Sequence, residues 1–252
     1  RPYYNGYYSD REGNQKAANH VVMLRNTSKG HSLYTTFQLQ KNFVDGILKG
    51  LYLNGSYSFG QSRGVTDGTS SVATSAWKYR AALDGNAEEV GYTAGSFDGR
   101  LLLSASYTAN WSKYAATSFG LIYQRYRPFR YSYCYNGDAN GDSQFSNDLM
   151  YIPANFDEVK DHLLPGDFDS QEDAWKAMNA FIEQDPYLSK HRGEYAERNG
   201  AVAPFANQLD LSVSHDIKIY QKNGRSHTLR FSFNIANFLN LLNRNWGVVQ
   251  TT

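Results

Sequence analysis

An all-β fold of long antiparallel strands is predicted for this 252-residue chain by its composition, its residue alternation and its lack of long apolar runs. Aromatic residues make up 15% of the chain, with 20 Tyr, 14 Phe, 21 Gly and only 6 Pro, a mixture that suits strands joined by glycine-containing turns. No run of about eighteen apolar residues occurs, so helical membrane spans are excluded. A strand-built membrane wall is not excluded, because only every second residue of such a strand faces lipid.

The clearest alternation lies between residues 207 and 235. Odd-numbered positions from Leu209 to Ile219 are apolar except for His215, and the even-numbered positions between 208 and 218 are polar. A polar turn at 221–225 then returns the chain into a second alternating stretch that ends at Ile235. Strands of soluble proteins run to about five or six residues, whereas membrane-crossing strands need about nine to eleven. The twelve alternating positions of the first strand therefore favour a strand that crosses a bilayer.

Five further strands are predicted upstream of this hairpin. They are expected within residues 17–25, which are poorly patterned, and within 33–40, 51–59, 101–111 and 118–124. Residues 1–16, 61–96 and 126–204 are predicted connections, and short turns are expected near Asp45, Ser112 and Asn223. If the long connections lie outside the cell and the short ones in the periplasm, the connections alternate regularly between the two sides of the membrane from the second strand to the seventh.

A helix is predicted inside the connection 126–204. Ser170 followed by Asp173 resembles a capping box, and Trp175 and Met178 then fall on one helical face before Asp185-Pro186 ends the helix. A soluble sandwich would not normally carry a connection of about 80 residues, and the smallest single-chain membrane barrels have about eight strands. The prediction is an antiparallel transmembrane β-barrel segment, about seven strands of a larger barrel, with long extracellular loops, one of which contains a short helix.

Charge and catalytic motifs exclude several classes of function. The formal net charge of +1 gives no electrostatic footprint for nucleic acid. Cys134 is the single cysteine, so no internal disulfide and no cysteine-based zinc site is expected. The six histidines form no HExxH pattern, and the sequence has no GxSxG, P-loop or post-strand GxGxxG motif. The chain is therefore not expected to be an enzyme, and any secretion signal is expected to precede Arg1.

One loop carries a candidate calcium site around residues 138–148. Asp138, Asn140 and Asp142 place side-chain oxygens at positions 1, 3 and 5 of a turn, which a hard cation requires. Position 12 would be Leu149, so an EF-hand is excluded, and Asp148 is the nearest further carboxylate. The alternative is an Asx-rich turn held by side-chain to backbone hydrogen bonds, which needs no ion.

Aromatic side chains and His215 suggest where membrane interfaces and ligand contacts lie. An outward aromatic girdle at headgroup level is predicted for Tyr57, Tyr107, Trp111 and Tyr123, the alternative being the core of a β-sandwich. His215 is expected near the interface or a neighbouring subunit, and Glu88-Glu89 is expected to be solvated. Aromatic residues of the predicted outer loops could stack on a sugar or peptide or pack the loops on themselves: Trp77, Tyr79, Trp175 and Tyr187.

Three segments carry a resemblance to a known family. They are Gly137–Asp142 running on to Asn147–Pro153, then Arg192–Gly200, and finally the "NLLN…W" segment within Asn237–Gly247. On these residues the chain resembles the C-terminal barrel portion of TonB-dependent receptors of Bacteroidetes-type bacteria, in particular the SusC-like and Oar-like groups. The resemblance implies an outer-membrane barrel of about 22 strands, whose N-terminal plug is moved by an inner-membrane complex to admit a large ligand such as a glycan, peptide or metal chelate.

The resemblance also sets expectations for domain organisation and partners. Residues 1–252 are expected to form part of one barrel domain, with the plug domain and the terminal strands outside this sequence. The expected partners are outer-membrane lipid, the TonB complex acting through the plug, and a surface lipoprotein or another subunit. Two other functions stay open: a non-transporting surface adhesin or scaffold barrel, and a soluble carbohydrate-binding β-sandwich. Polar inward residues such as Asn54, Ser104, Ser106, Asp210 and Asp216 would contact water or the plug.

Overall fold

The computed structural model describes residues 7–9, 15–17, 24–68, 70–142, 144–220 and 226–250. These residues are mostly antiparallel β-sheet with few helices, which confirms the all-β prediction. The strands are β1 Tyr7–Ser9, β2 Gln15–Ala17, β3 His31–Asn42, β4 Leu51–Gly64, β5 Gly91–Tyr92, β6 Phe97–Asn110, β7 Ala115–Tyr126, β8 Arg130–Tyr131, β9 Tyr151–Ile152, β10 Glu194–Tyr195, β11 Ala201–Val202, β12 Ala206–Tyr220 and β13 Ser226–Ile235. The helices are α1 Ala73–Lys78, α2 Gln171–Gln184 and α3 Phe238–Leu242, with 3-10 turns at Phe156–Glu158 and Leu188–Lys190.

Six long strands lie side by side in one sheet, in the order β13-β12-β7-β6-β4-β3, and the short β5 pairs with the end of β4. The six strands are 10 to 15 residues long. Their order follows the chain, as expected when each strand returns beside its predecessor. The six well-patterned strands of the prediction are therefore confirmed, although among the described residues the strand order ends at β3 and β13 and no closed ring of strands is present.

Short and long connections alternate between these strands, as predicted. Residues 43–50 and 111–114 link strands at one end of the sheet, while 65–96 and 127–205 link them at the other. Gly46 and Gly50 adopt positive φ values of 69° and 91° in the first short turn, a conformation that glycine reaches without steric cost. The turn predicted at 221–225 lies outside the described residues.

The chain divides into two compact units. A sheet unit comprises residues 32–61, 97–129 and 203–252, and a loop unit comprises residues 1–31, 62–96 and 130–202. The large buried hydrophobic side chains belong to the loop unit, where Ile152, Ile182 and Leu188 form a cluster with Ala196. In the described part of the sheet unit, the buried hydrophobic residues are only alanines.

The helix predicted after Ser170 is confirmed as α2. The Ser170 hydroxyl accepts a hydrogen bond from the backbone N–H of Asp173 at 3.1 Å and donates one to the Asp173 carboxylate at 2.8 Å. This hydroxyl satisfies one of the amide groups that the first helical turn leaves without a partner. The helix stops before Asp185, as predicted, and it buries Ala174 and Ile182.

Some predicted boundaries were wrong, because short elements leave no periodic pattern. Residues 1–16, predicted as a connection, contain β1 and most of β2. The strand predicted at 17–25 lies mostly outside the described residues, and Leu24 and Arg25 are not in a strand. The connections also hold α1 and the two-residue strands β5 and β8 to β11, which were not predicted. In the described part of the chain, no helix is long and apolar enough to cross a membrane.

Candidate functional site

Apolar side chains line up across five strands of the sheet unit. Phe233, Val213, Phe119, Tyr107 and Leu51 form one continuous row, each paired in register with the next. The adjacent row on the same face is formed by Ile235, Leu211, Leu121, Ala105 and Leu53. A single-residue slip in any strand would turn its apolar residues to the other face. The register therefore joins the alternating patterns of separate strands into one apolar surface.

This apolar surface is open. Leu39 is 83% exposed, Phe233 65% and Leu121 37%, so even the residues of the inner strands lack cover. Large contiguous apolar patches are unusual on the surface of soluble monomers, where they mark a site of association. The surface therefore needs a covering phase or partner that the described residues do not supply.

The opposite face is mostly polar, with Leu102 and Ile122 as apolar exceptions, and its polar side chains hydrogen-bond across strands. Asn54 accepts a bond from the Gln38 amide at 2.8 Å, and Asp216 accepts two from Arg230 at 2.6 and 2.7 Å. Further cross-strand bonds join Thr36 with Ser58, Thr108 with Ser118, Arg100 with Gln124, and Gln124 with Gln208. The five residues predicted to point inward, Asn54, Ser104, Ser106, Asp210 and Asp216, all take the parity of this face.

Three of the four aromatic residues predicted as an outward girdle, Tyr57, Tyr107 and Tyr123, take the apolar parity of β4, β6 and β7. The fourth, Trp111, directly follows the last residue of β6. The Tyr123 hydroxyl donates a hydrogen bond to Asn207 Oδ1 at 2.9 Å, and Trp111 Nε1 donates one to Thr117 Oγ1 at 2.7 Å. Tyr57 and Tyr107 are more than two-fifths exposed. Tyr123 and Trp111 thus combine an apolar ring with a hydrogen-bonded polar group, and the girdle itself stays a prediction.

His215 is the polar exception among the apolar-face positions of β12 between Leu209 and Ile219. Its Nδ1 shares a hydrogen bond with Thr117 Oγ1 at 2.8 Å, and Thr117 lies directly opposite it on β7. Trp111 donates to the same hydroxyl, so Trp111, Thr117 and His215 form a connected group, which we call the polar triad. The triad lies toward the sheet end that carries the short connections.

The candidate calcium loop is held by hydrogen bonds from its own backbone. Asp148, only 3% exposed, accepts backbone N–H bonds from Ala139 at 2.6 Å and Asn140 at 3.3 Å, and it also accepts the Asn140 side-chain amide. Asp138 accepts from Gly141 and Asp142, and Asp142 accepts from Gln144. These are the bonds of an Asx-rich turn. Among the described residues no group of three or more His, Cys, Asp or Glu side chains is arranged to hold a metal ion, and the calcium site stays a prediction.

A buried arginine of the loop unit was not singled out from the sequence. Arg198 is 4% exposed; its Nη1 donates to the Val65 carbonyl oxygen at 2.6 Å, and its Nη2 donates to that of Gly64. Burial lowers the pKa of this guanidinium from its ordinary value. Neighbouring Glu197 forms an ion pair with Arg63. No local signal reveals such a residue, because its partners lie about 130 positions earlier in the chain.

Tyr92 is the second component of the assembly around Arg198. The guanidinium groups of Arg63 and Arg130 lie 4.3 and 4.1 Å from the centre of its ring, distances typical of cation–π contacts. Asn199, at a positive φ of 53°, donates its side-chain amide to the Tyr92 carbonyl oxygen at 2.8 Å. We call Arg63, Tyr92, Glu197, Arg198 and Asn199 the arginine hub.

The loop aromatics divide between packing and exposure. Trp77 donates to the Gly85 carbonyl oxygen at 2.9 Å, and Trp175 lies 6.0 Å from the Phe156 ring. Tyr187 stacks on His191 and Tyr133. These three rings pack within their own unit. Tyr79 is 81% exposed and is the member of the predicted set most open to a ligand.

Comparison of this chain with protein-family models, with curated proteins and with solved structures gives no match.

Proposed function

We propose that this chain forms part of the wall and outer loops of a TonB-dependent transporter in a bacterial outer membrane, which imports a large ligand. One observation carries the proposal: an apolar face that runs in register across the long strands of the sheet unit and lies open to its surroundings. A bilayer is a surrounding phase that would cover such a face.

The dimensions of the apolar face agree with this proposal. On β12 the apolar parity runs from Leu209 to Ile219, ten residue steps that correspond to about 33 Å of extended strand. A strand tilted by about 40° would cover about 25 Å of membrane thickness, the height of the apolar band on membrane barrels. On β7 the same face ends in Arg125, which lies over the Phe205 ring at 4.4 Å, so charge returns at the end with the long connections.

The polar face and the loop unit suit the remaining parts of a transporter. Cross-strand hydrogen bonds between Gln, Asn, Ser and Thr give a rigid polar lining that suits a wet interior or a plug. The loop unit has its own buried cluster and the arginine hub, so its long connections are held in a defined conformation before any ligand binds. Pre-organised outer loops lose less conformational entropy when a ligand binds.

Spin labels on single cysteines test the membrane placement. The background is Cys134→Ser in the full-length protein, and labels are placed at Leu103, Leu211, Ser104 and Ser212. We expect the two leucine positions to be accessible to oxygen and shielded from a water-soluble relaxation agent, because they would face hydrocarbon. Labels at Ser104 and Ser212 should be accessible to the water-soluble relaxation agent and less accessible to oxygen. Water-exposed labels at Leu103 and Leu211, with shielded labels at the serines, would refute the membrane wall.

Uptake measurements separate a transporter from a non-transporting barrel. Cells that lack the gene are compared with wild type for accumulation of labelled glycans, peptides and metal chelates, with and without the proton-motive force. A transporter predicts energy-dependent accumulation of one ligand class that disappears with the gene. Loss of surface binding without any change in accumulation would favour the adhesin or scaffold instead.

A further inference from the structure

We infer that the turn before α2, residues 161–169, is a docking surface for a cationic peptide that also carries apolar side chains. The inference deepens the proposed function, because it selects a peptide among the classes of large ligand. It rests on that function for import alone, since peptide binding at this turn is measured without any transport.

Two apolar side chains are exposed on this turn. Leu164 is 79% exposed and Phe168 is 49% exposed. Hydrogen bonds hold the backbone around them: the Phe168 N–H donates to the Pro165 carbonyl oxygen at 3.0 Å, and Gln171 Nε2 donates to that of Leu163 at 2.8 Å. Both apolar side chains are therefore presented to solvent by a turn of defined conformation.

The charge around these two side chains is strongly negative. Residues 157–173 contain seven acidic side chains and one basic side chain, Lys160, in a chain whose formal net charge is +1. Lys160 is already paired with Asp157 at 3.1 Å. In the described parts of the chain, three exposed carboxylates of the turn have no basic side chain within ion-pair distance: Asp161, Asp167 and Asp169.

A cationic peptide is the occupant that this chemistry favours. Phe168 stands between two aspartates, so an ammonium or guanidinium group over its ring would have carboxylates one residue away on either side. Where the structure describes the chain, no three His, Cys, Asp or Glu side chains converge as a metal ion would need, so the charges suit several separated cationic groups. An uncharged glycan would gain no attraction from the carboxylates, and an anionic chelate would be repelled.

Peptide binding to the full-length protein in a neutral detergent provides the test. The probes are short fluorescein-labelled peptides in which Val alternates with Lys, Glu or Ser, and binding is followed by fluorescence anisotropy with empty micelles as the background. We expect the Lys–Val peptide to bind about tenfold more tightly than the other two. Its affinity should fall as salt is added, because salt screens exposed charges.

Substitutions separate the charged contacts from the apolar ones. Asp161→Asn, Asp167→Asn and Asp169→Asn together should weaken binding of the Lys–Val peptide about eightfold, because each exposed charge contributes roughly a factor of two. Leu164→Ser with Phe168→Ser should weaken binding about tenfold through lost apolar contact, while the dependence on salt stays that of the wild type.

Asp45→Asn is the matched control for Asp169→Asn, because it removes an exposed carboxylate from a short connection of the sheet unit. It should leave the affinity unchanged, and an unaltered exchange rate of the Asp173 amide should confirm that α2 is intact in the loop variants. Equal binding of the Glu–Val peptide, unchanged affinity in the triple variant, or equal weakening by Asp45→Asn would overturn the docking surface.

Cellular uptake distinguishes this inference from the proposed function. Energy-dependent import of a glycan or chelate, without binding of the Lys–Val peptide, would refute the docking surface and leave the transporter standing. Binding of the Lys–Val peptide that the triple variant loses, without energy-dependent import of any ligand, would support the docking surface and refute the transporter.

Discussion

Replacing Arg198 by Met should loosen the loop unit while leaving the sheet unit intact. The substitution keeps a long side chain but removes the Arg198 guanidinium from the part-buried carbonyl oxygens of Val65 and Gly64. The Val65 oxygen keeps a second donor, Arg80 Nη1 at 3.0 Å, so the loss falls on the Gly64 carbonyl. A buried acceptor without a partner costs about 1–3 kcal/mol. Part of this cost is offset, because the variant no longer buries a charge whose pKa burial lowers. We expect a net loss of about 1.5 kcal/mol in the local stability of the arginine hub.

Amide hydrogen exchange measures this loss directly. The Tyr92 amide bonds the Arg198 carbonyl oxygen at 3.1 Å, and the Asn199 amide bonds Ser132 Oγ at 2.8 Å, so both report opening of the hub. A loss of about 1.5 kcal/mol should accelerate their exchange on the order of 10-fold, while amides of β6 and β7 keep their rates. In Arg198→Lys the exchange rates of these two amides should lie between those of the wild type and of Arg198→Met, because an ammonium group does not reproduce the planar guanidinium fork.

Arg25→Met is the control for loss of a guanidinium at the surface. Arg25 pairs with Glu88 at 3.0 Å but its side chain is mostly exposed, so its removal should change local stability by less than about 1 kcal/mol. If the Tyr92 and Asn199 amides exchanged at unaltered rates in Arg198→Met, the hub would not hold the loop unit together. The reasoning from buried carbonyls would then be refuted.

Three further predictions concern the loop unit. Ser170→Ala should destabilise α2 by about 1 kcal/mol through loss of its N-cap bond, with faster exchange of the Asp173 amide as the measurement and Ser170→Asp as the rescuing control. The pKa of the Cys134 thiol is raised to about 11, by burial and secondarily by Asp148, so its alkylation at pH 8 should be roughly 100-fold slower than that of an exposed cysteine introduced at Ser112. Because the folded-state pKa lies above the unfolded one, the protonated thiol stabilises the fold below about pH 8.5, and this contribution is lost as the pH rises toward 11. If calcium occupies the 138–148 loop, added calcium should raise the unfolding temperature of the wild type but not of Asp148→Asn. If neither unfolding temperature shifted, the loop would be an Asx-rich turn that binds no ion.

The sheet was predictable from the sequence because its information is local. A two-residue period identifies a strand without knowledge of its neighbours, and the long period of residues 209–219 fixed both the strand and its apolar side. The capping pair Ser170 and Asp173 is separated by three residues, so the start of α2 could also be predicted from the local sequence. Elements of two or three residues, such as β5 and β8, were missed because so short a stretch has no period.

The arginine hub could not be predicted for the opposite reason. Arg198 bonds carbonyl groups of residues 64, 65 and 91, more than 100 positions away, and backbone acceptors carry no side-chain signature. The calcium loop shows an intermediate case. Its motif is local and visible, but the same carboxylates that would bind a cation accept backbone N–H groups in the folded loop. Motif spacing alone does not separate these two uses of an oxygen atom.

The hub also bears on where ligand selectivity resides. The segment Arg192–Gly200, one of those that carry the family resemblance, contributes Glu197, Arg198 and Asn199 to the hub, where their side chains hold other parts of the loop unit. A side chain that is bonded to the loop unit in this way is not available to contact a ligand. Under the proposed function, exposed loop side chains such as Tyr79 and Tyr195, which are 81% and 54% exposed, are the loop residues best placed to contact a ligand. Replacing Tyr79 should change ligand preference without changing hydrogen exchange in the hub, whereas replacing Arg198 should disturb the hub and reduce capture of all ligands alike.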